Sequence, residues 1–163
     1  MNVTLRNLEE KDAIRMLEWM HDDNVTHYLK LDGTNATLES TLNFIKEANN
    51  QKENLHYAIA DEYDDYLGTI SLKNIDLGKR EAEFAIVLHS SAMGKGVATR
   101  AMQILLEKVK QEKVLNRIYL NVLQENKRAE KLYKKVGFKY IETSEINVYG
   151  RMEQLDWYEY QLR

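Results

Sequence analysis

The chain has no cysteine and no proline among its 163 residues. Without cysteine it can form no disulfide bond, thiolate zinc site or cysteine nucleophile, and a reducing compartment suits it, so we expect a cytoplasmic protein. Without proline, glycine and clusters of Asn and Asp must mark the ends of helices and strands. Apolar runs are also short. None approaches the ~20 residues of a membrane span, and Met1 is followed by polar residues rather than a signal peptide.

Neither sign of charge dominates the sequence, whose formal net charge is −3. A dedicated nucleic-acid binder is usually basic, so we expect no nucleic-acid partner. Residues 1–80 carry 9 Lys and Arg against 15 Asp and Glu, whereas residues 81–163 carry 14 against 11. This asymmetry suits a polyanionic ligand on the second half and a cationic one on the first, although uneven solvated surface explains it equally well.

Hydrophobic periodicity predicts a single α/β domain over residues 1–163, because we find no linker, repeat or low-complexity segment. The predicted order is β-α-α-β-β-β-α-β-α-β-β, a mixed sheet with helices on both faces. Residues 21–35 are predicted to be irregular. Predicted strands span Val3–Asn7, His56–Ala60, Tyr66–Leu72, Glu81–His89, Arg117–Val122, Phe138–Val148 and Met152–Leu162, and predicted helices span Lys11–Met20, Thr37–Ala48, Val97–Glu112 and Asn126–Val136.

A glycine-rich turn, Met93-Gly94-Lys95-Gly96, joins a predicted strand to a predicted helix. Such a turn exposes backbone N–H groups at a helix N-terminus, where they and the helix dipole favour phosphate. Lys95 and Arg100 add positive charge at the same end. A Walker loop is excluded because Gly96 follows the Lys, and the second half of GxGxxG is missing. A plain structural turn would also use glycine, but the Lys between two glycines favours an anion site.

Glu83 lies inside an apolar strand pattern and faces the same side as Ala85 and Val87. A carboxylate that loses solvation there gains the pKa of a general base, unless a cation pairs with it. The alternative is an ion pair with Lys79, Arg80 or a neighbouring strand.

Tyr133 falls on the apolar face of the last predicted helix, with Ala129, Leu132 and Val136. Spacing alone favours a core tyrosine over a catalytic one. Asn126 is well placed to cap this helix, and Gly137 to end it.

The sequence resembles the GCN5-related N-acetyltransferases (GNAT) in four consecutive features. These are the strand Glu81–His89, the glycine loop, its helix and the pattern Asn126-x-x-Ala129-x-x-x-Tyr133-x-x-x-Gly137-Phe138. The resemblance covers most of the chain and is most specific over residues 81–138. The family's pyrophosphate signature, Gln/Arg-x-x-Gly-x-Gly/Ala, corresponds to Met93-x-x-Gly96-x-Ala98. Met replaces the polar residue, and we expect little cost because phosphate is bound by backbone N–H groups.

The resemblance implies a mostly antiparallel sheet of about seven strands and acetyl-CoA as cosubstrate, and no metal site is expected. The pantetheine would pair with the backbone of Ile86, Val87 and Leu88 and would contact Asn126. Basic residues near Lys95, Arg100 and Lys127 would meet the adenosine phosphates. The pyrophosphate would lie on the loop residues Met93, Gly94, Lys95, Gly96, Val97, Ala98 and Thr99.

The resemblance also implies direct attack of an amine on the thioester, with strand N–H groups stabilising the oxyanion. Tyr133 would protonate the leaving thiolate. Glu83, directly or through water, is the candidate base for the amine. His56 and His89 are weaker candidates, and water alone does this work in much of the family.

The expected acceptor is a primary amine of a small molecule. Trp19 and the polar residues after it resemble the amino-sugar acetyltransferases, in which an aromatic ring suits a sugar face, and this is the first expectation. Alternatively, Trp19 anchors the first helix in the core. The Arg80–Phe84 segment and the glycine loop resemble instead the spermidine acetyltransferases, for which four acidic residues would attract a polyamine: Asp22, Asp23, Asp32 and Glu39.

Ribosomal-protein N-terminal acetyltransferases share parts of both patterns and are a further alternative. A non-catalytic acetyl-CoA-binding module is the alternative of another class. Tyr133 argues against it, whereas Met93 favours it. The resemblance also suggests a homodimer through the C-terminal strands, although their aromatic residues suit a core equally well: Tyr149, Trp157, Tyr158 and Tyr160.

Overall fold

The structure is a computed structural model that describes residues 2–29 and 33–162. Seven strands form one sheet in the order β1-β2-β3-β4-β5-β7-β6, and only β4 and β5 run parallel among its neighbours. The strands are β1 (Thr4–Asn7), β2 (Leu55–Ala60), β3 (Tyr66–Asp76), β4 (Glu81–Leu88), β5 (Arg117–Leu123), β6 (Lys139–Val148) and β7 (Arg151–Gln161). The helices are α1 (Ala13–Met20), α2 (Asp23–Thr26), α3 (Leu38–Ala48), α4 (Val97–Glu112) and α5 (Lys127–Val136).

Helices pack on both faces of the sheet. On the back face, α4 and α5 enclose a core that includes Phe84, Leu105 and Ile118. On the front face, α1 to α3 enclose a second core around Trp19 and Ile45. Because side chains alternate along a strand, the even-numbered residues of β4 face the back and the odd-numbered ones face the front. On the front face of β5 and β7, Tyr119, Asn121 and Trp157 are partly exposed and belong to neither core, whereas Leu123 and Leu155 further along are buried.

The predicted fold class is confirmed, and every predicted helix and strand is present. One prediction was wrong in part, because the segment predicted to be irregular contains the short helix α2. Asp22 caps this helix by accepting a hydrogen bond from the Asn24 N–H. β3 also runs past Leu72 to Asp76, since its last residues still pair with β4 across a register shift. Among the described residues, no helix is long and apolar enough to cross a membrane.

Candidate active site

β4 and β5 lie side by side only at their first residues. Their ladder joins Glu81 to Arg117, Ala82 to Ile118 and Glu83 to Tyr119 and then stops, although both strands continue. We call the gap beyond Glu83 the splay. Along this edge of β4, backbone N–H and C=O groups lack a strand partner, and such groups need one. An extended ligand with amide groups can supply it. The predicted pantetheine-binding residues 86–88 lie on this edge and are half-buried.

The glycine loop follows the end of β4 and leads into α4 on the back face. Gly94 and Gly96 both have φ of +76°, a conformation that favours glycine. No side chain caps α4, so the N–H groups of its first turn are available to an anion. The predicted loop residues therefore form the geometry of a phosphate site. Lys95 and Arg100 are exposed beside it and take part in none of the ion pairs between described residues.

Met93 occupies the position where the family pattern has a polar residue. Its side chain is partly buried against the core that α1 to α3 form. This packing gives the apolar residue a structural reason to be there. The departure from the pattern therefore leaves the backbone of the loop intact.

Arg128 is a basic residue that the sequence analysis did not single out. A Cβ atom added to Gly94 would lie 3.7 Å from the Arg128 Nη2 atom, so this guanidinium reaches the glycine loop. Lys127, which was predicted to meet the adenosine phosphates, is exposed and lies 3.5 Å from the Glu130 carboxylate, and its contact with phosphate stays a prediction. Arg128 differs from Lys127 in its contact with the distant glycine loop, and the sequence carries no signal for that contact.

Tyr133 lies on the back face, next to the vertex of the splay. Its ring packs edge-on against Phe84, with centroids 6.2 Å apart, and only 8% of the residue is exposed. Burial raises the pKa of Tyr133 to about 12. Its hydroxyl therefore stays protonated at neutral pH, and no hydrogen bond between described residues engages it.

Asn126 caps α5, as predicted, because its side-chain oxygen accepts a hydrogen bond from the Ala129 N–H at 3.2 Å. The same side chain keeps its amide N–H₂ group free within the described residues. Asn126 can therefore cap α5 and contact a ligand at the same time, because the two interactions use different atoms of its side-chain amide.

Glu83 faces the front at the vertex of the splay, the side predicted from the sequence. Its carboxylate accepts a hydrogen bond from Asn74 Nδ2 at 3.1 Å and lies 3.7 Å from Lys73 Nζ. A cation on the neighbouring strand thus pairs with it, which is the alternative that the sequence left open. The ion pair is loose, and 19% of the Glu83 side chain is exposed, so an incoming cation can compete for the carboxylate.

The two histidines have partners of their own. His56 Nδ1 lies 2.7 Å from Ser71 Oγ, and burial together with Lys73 lowers the pKa of His56, which favours a neutral ring. β3 separates it from β4. His89 caps the turn after β4 and lies 3.1 Å from Glu18 Oε1. Neither geometry distinguishes a base from a structural residue.

The segment predicted to shape the acceptor site divides into buried and exposed parts. Trp19 is 6% exposed and donates a hydrogen bond to the Tyr66 hydroxyl at 3.0 Å, so it anchors α1 in the core and presents no ring to a ligand. Of the acidic residues, Asp22 caps α2, and Asp23 and Glu39 are exposed. Asp32 lies outside the described residues.

Three front-face residues of β5 and β7 lie next to Glu83, and the sequence analysis did not single them out as candidate site residues. Tyr119 pairs with Glu83, Asn121 follows on the same face, and Trp157 lies opposite Asn121. The rings of Tyr119 and Trp157 are 6.3 Å apart. We call Glu83, Tyr119, Asn121 and Trp157 the front strip. Burial first, and then the negative charges of Glu83 and Glu81, raise the pKa of Tyr119.

The sequence matches the profile of the acetyltransferase (GNAT) domain family over residues 2–139. The chain belongs to the GNAT family. It is an N-acetyltransferase with acetyl-CoA as its cosubstrate, as the sequence predicts. The non-catalytic alternative is therefore not needed.

Several known proteins and one solved structure are similar to this chain. A spermidine N(1)-acetyltransferase of Escherichia coli (strain K12) is 29% identical over 137 residues, which cover 84% of this chain and 73% of the relative. An uncharacterised N-acetyltransferase, p20, of Bacillus licheniformis is 28% identical and covers 83% and 78%. The crystal structure of a spermidine N-acetyltransferase from Vibrio cholerae, in complex with CoA and spermine, superposes with a TM-score of 0.88 at 23% identity, covering 98% and 95%. That likeness confirms the fold.

Proposed function

We propose that this enzyme transfers the acetyl group of acetyl-CoA to a primary amine of a polyamine of the spermidine type. The splay is the observation that carries the proposal. It exposes the free edge of β4, and the protonated hydroxyl of Tyr133 lies on its back face and the Glu83 carboxylate on its front face. The donor and the acceptor would thus approach the same gap from opposite faces.

The donor side is built from backbone groups and cations. The free edge of β4 at residues 86–88 would pair with the pantetheine amides, and the Asn126 N–H₂ group would donate to one of their carbonyls. The first turn of α4 would hold the pyrophosphate, with Lys95, Arg100 and Arg128 as counter-charges. Strand N–H groups at the splay would stabilise the oxyanion that forms on attack.

Tyr133 would supply the proton for the leaving thiolate. A hydroxyl with a pKa of about 12 holds its proton at neutral pH. A CoA thiolate beside the buried Tyr133 hydroxyl would also be disfavoured, because desolvation raises the pKa of a thiol. The proton therefore passes to sulfur as charge develops there, which is general acid catalysis. Glu83, or a water bound to it, would take the proton of the amine.

The front strip favours a cationic acceptor. Glu83 offers a carboxylate and Trp157 an aromatic face, which attract ammonium groups. The Tyr119 ring already has the Arg117 guanidinium 5.1 Å from its centroid. The related proteins include spermidine acetyltransferases. An amino-sugar acceptor, our first expectation, rested on Trp19 as a platform for a sugar, and Trp19 is buried. We therefore prefer the polyamine.

The test is acetyl-CoA-dependent thiol release from a panel of amines: spermidine, spermine, a 4-amino-deoxy nucleotide sugar, an aminoglycoside and an N-terminal peptide. We expect turnover with spermidine or spermine and little with the others. Preferential turnover of the amino sugar or the peptide would contradict the proposed acceptor and leave the acetyltransferase reaction intact.

A further inference from the structure

Asn121 is one of two side chains with a buried oxygen atom that lacks a hydrogen-bond partner among the described residues; the other is Glu130. Glu130 is on α5, on the back face, beside Asp156, and burial and that neighbour raise its pKa. A protonated carboxyl group reduces the cost of such burial. The Asn121 amide cannot change its charge, so its oxygen stays unpaired until some other group binds it. An unpaired buried oxygen is destabilising, because it has lost its hydrogen bonds to water.

The position of Asn121 follows from the register of the sheet. Tyr119 is the last residue of β5 that pairs with β4, opposite Glu83. Asn121 is two residues further along, so it lies on the same face and about 6–7 Å beyond the vertex. On one side it faces the splay, where β4 has moved away. On the other side it faces Trp157 of β7.

The walls around Asn121 suit an amine better than a neutral group. Trp157 is fixed by the hydrogen bond from its Nε1 to Ser144 Oγ, 2.8 Å long, so its ring forms a defined wall. Tyr119 forms the second wall, and the Glu83 carboxylate lies beyond it at the vertex. The Arg117 guanidinium lies 5.1 Å from the Tyr119 ring centroid, but Glu81 and Glu159 neutralise its charge. An amine N–H between these groups would meet a carbonyl oxygen, aromatic rings and a negative charge.

We propose that Asn121 Oδ1 accepts a hydrogen bond from the acceptor amine and so aims its nitrogen at the splay. Asn121 is thereby an acceptor-binding residue, and the donor, which enters from the back face, does not touch it. The proposal rests on the proposed placement of the reaction at the splay. It applies to the primary amine of whichever acceptor the enzyme turns over.

The test compares N121L, which has a similar size and no acceptor atom, with N121D, which keeps an oxygen at the same place. The substrate is the best amine of the panel above, so a failure of spermidine would not prevent the test. We expect N121L to lower kcat/KM for the amine about 10- to 100-fold, with the KM for acetyl-CoA unchanged and the melting temperature unchanged or higher, because Leu buries no unpaired oxygen. N43L, an exposed substitution on α3, is the matched control and should leave all three values unchanged.

We expect N121D to retain the activity that N121L loses and to add an acidic limb to the pH profile, because an ionised carboxylate accepts the hydrogen bond more strongly than a protonated carboxyl group does. An N121L enzyme with normal kcat/KM for the amine would overturn the proposal. So would a KM increase for acetyl-CoA that equals the loss for the amine. If N121L does not fold, N121D decides alone, and a wild-type pH profile in that variant would overturn the proposal.

Discussion

Tyr133 is the residue on which the proposed chemistry depends most. Replacing it with Phe removes the hydroxyl and leaves the packing against Phe84 and Phe138 in place. We expect kcat to fall about 100-fold or more, with little change in the KM for acetyl-CoA. Steady-state thiol release measures both. Y63F, in an exposed turn of the same chain, is the matched control, and an equal loss in both variants would exclude Tyr133 as the acid.

Glu130 and Asp156 form a buried acidic pair near the start of α5, the helix that carries Tyr133. Burial first, and then Asp156, raise the pKa of Glu130. Burial raises the pKa of Asp156, but its interactions with Glu130, Thr143 and Gln124, the last two of which donate hydrogen bonds to Oδ1, outweigh burial and lower it. The two carboxyls therefore hold one proton between them over the intervening pH range, with Glu130 as the protonated partner.

This pair predicts a pH dependence with a definite sign. A group whose pKa is raised on folding stabilises the protein fully below its unfolded pKa, and this stabilisation is lost as the pH rises through the folded value. E130Q cannot ionise, so its free energy of unfolding should increase relative to the wild type from pH 4.5 upward. Urea unfolding between about pH 4 and 8 measures it. E145Q, exposed on β6, is the control, and parallel curves for wild type and E130Q would contradict the assignment.

At the scale of elements, the glycine loop and the first turn of α4 should act as one anion site. Ala at Gly96 would meet no atom within 4 Å, so its effect comes from the positive φ alone. That conformation costs an L-residue about 1–2 kcal/mol. We expect G96A to lower Tm by several degrees and to raise the KM for acetyl-CoA by about threefold or more.

G150A is the matched control for this variant. Gly150, in the turn between β6 and β7, also has a positive φ and open space around its Cα. The two variants should lose similar stability, and only G96A should weaken acetyl-CoA binding. Equal KM values in both would show that the loop does not hold the donor.

The elements of this fold could be predicted from the sequence because each has a local signal. Asn126 and Gly137 bound α5 by capping, and alternation in β4 turns Glu83 to the front. The splay has no such signal, since it depends on where the β4–β5 ladder stops. Trp19 shows the same limit, because its apolar ring suited a sugar platform and a core anchor equally, and only packing decided. Arg128 and Asn121 acquire their meaning from contacts between distant segments.

At the scale of the whole molecule, the acidic first half and the basic second half suit the two substrates. If this charge asymmetry attracts a polycation, raising the salt concentration should increase the KM for spermidine. At 1 M salt the screening length falls to about 3 Å, so the attraction is nearly lost. An amine of a single charge should show a weaker increase in the same titration, and identical slopes would exclude long-range attraction.

The C-terminal strands leave the predicted homodimer open. β6 is an edge strand, and Tyr149 in its turn is 69% exposed, whereas Tyr158 is 1% exposed and belongs to the core. Of the aromatic residues singled out from the sequence, Tyr158 is therefore structural. The homodimer stays a prediction that sedimentation of the purified protein would test.

The most direct test of the account is kcat/KM for spermidine with saturating acetyl-CoA, measured in the wild type and in Y133F. We predict a wild-type value of at least about 10⁴ M⁻¹s⁻¹, within the usual range for enzymes on their own substrates, and a value lower by about 100-fold or more in the variant. Spermidine turnover that Y133F leaves unchanged, or no turnover above the rate without enzyme, would contradict the central claim that the splay acetylates a polyamine.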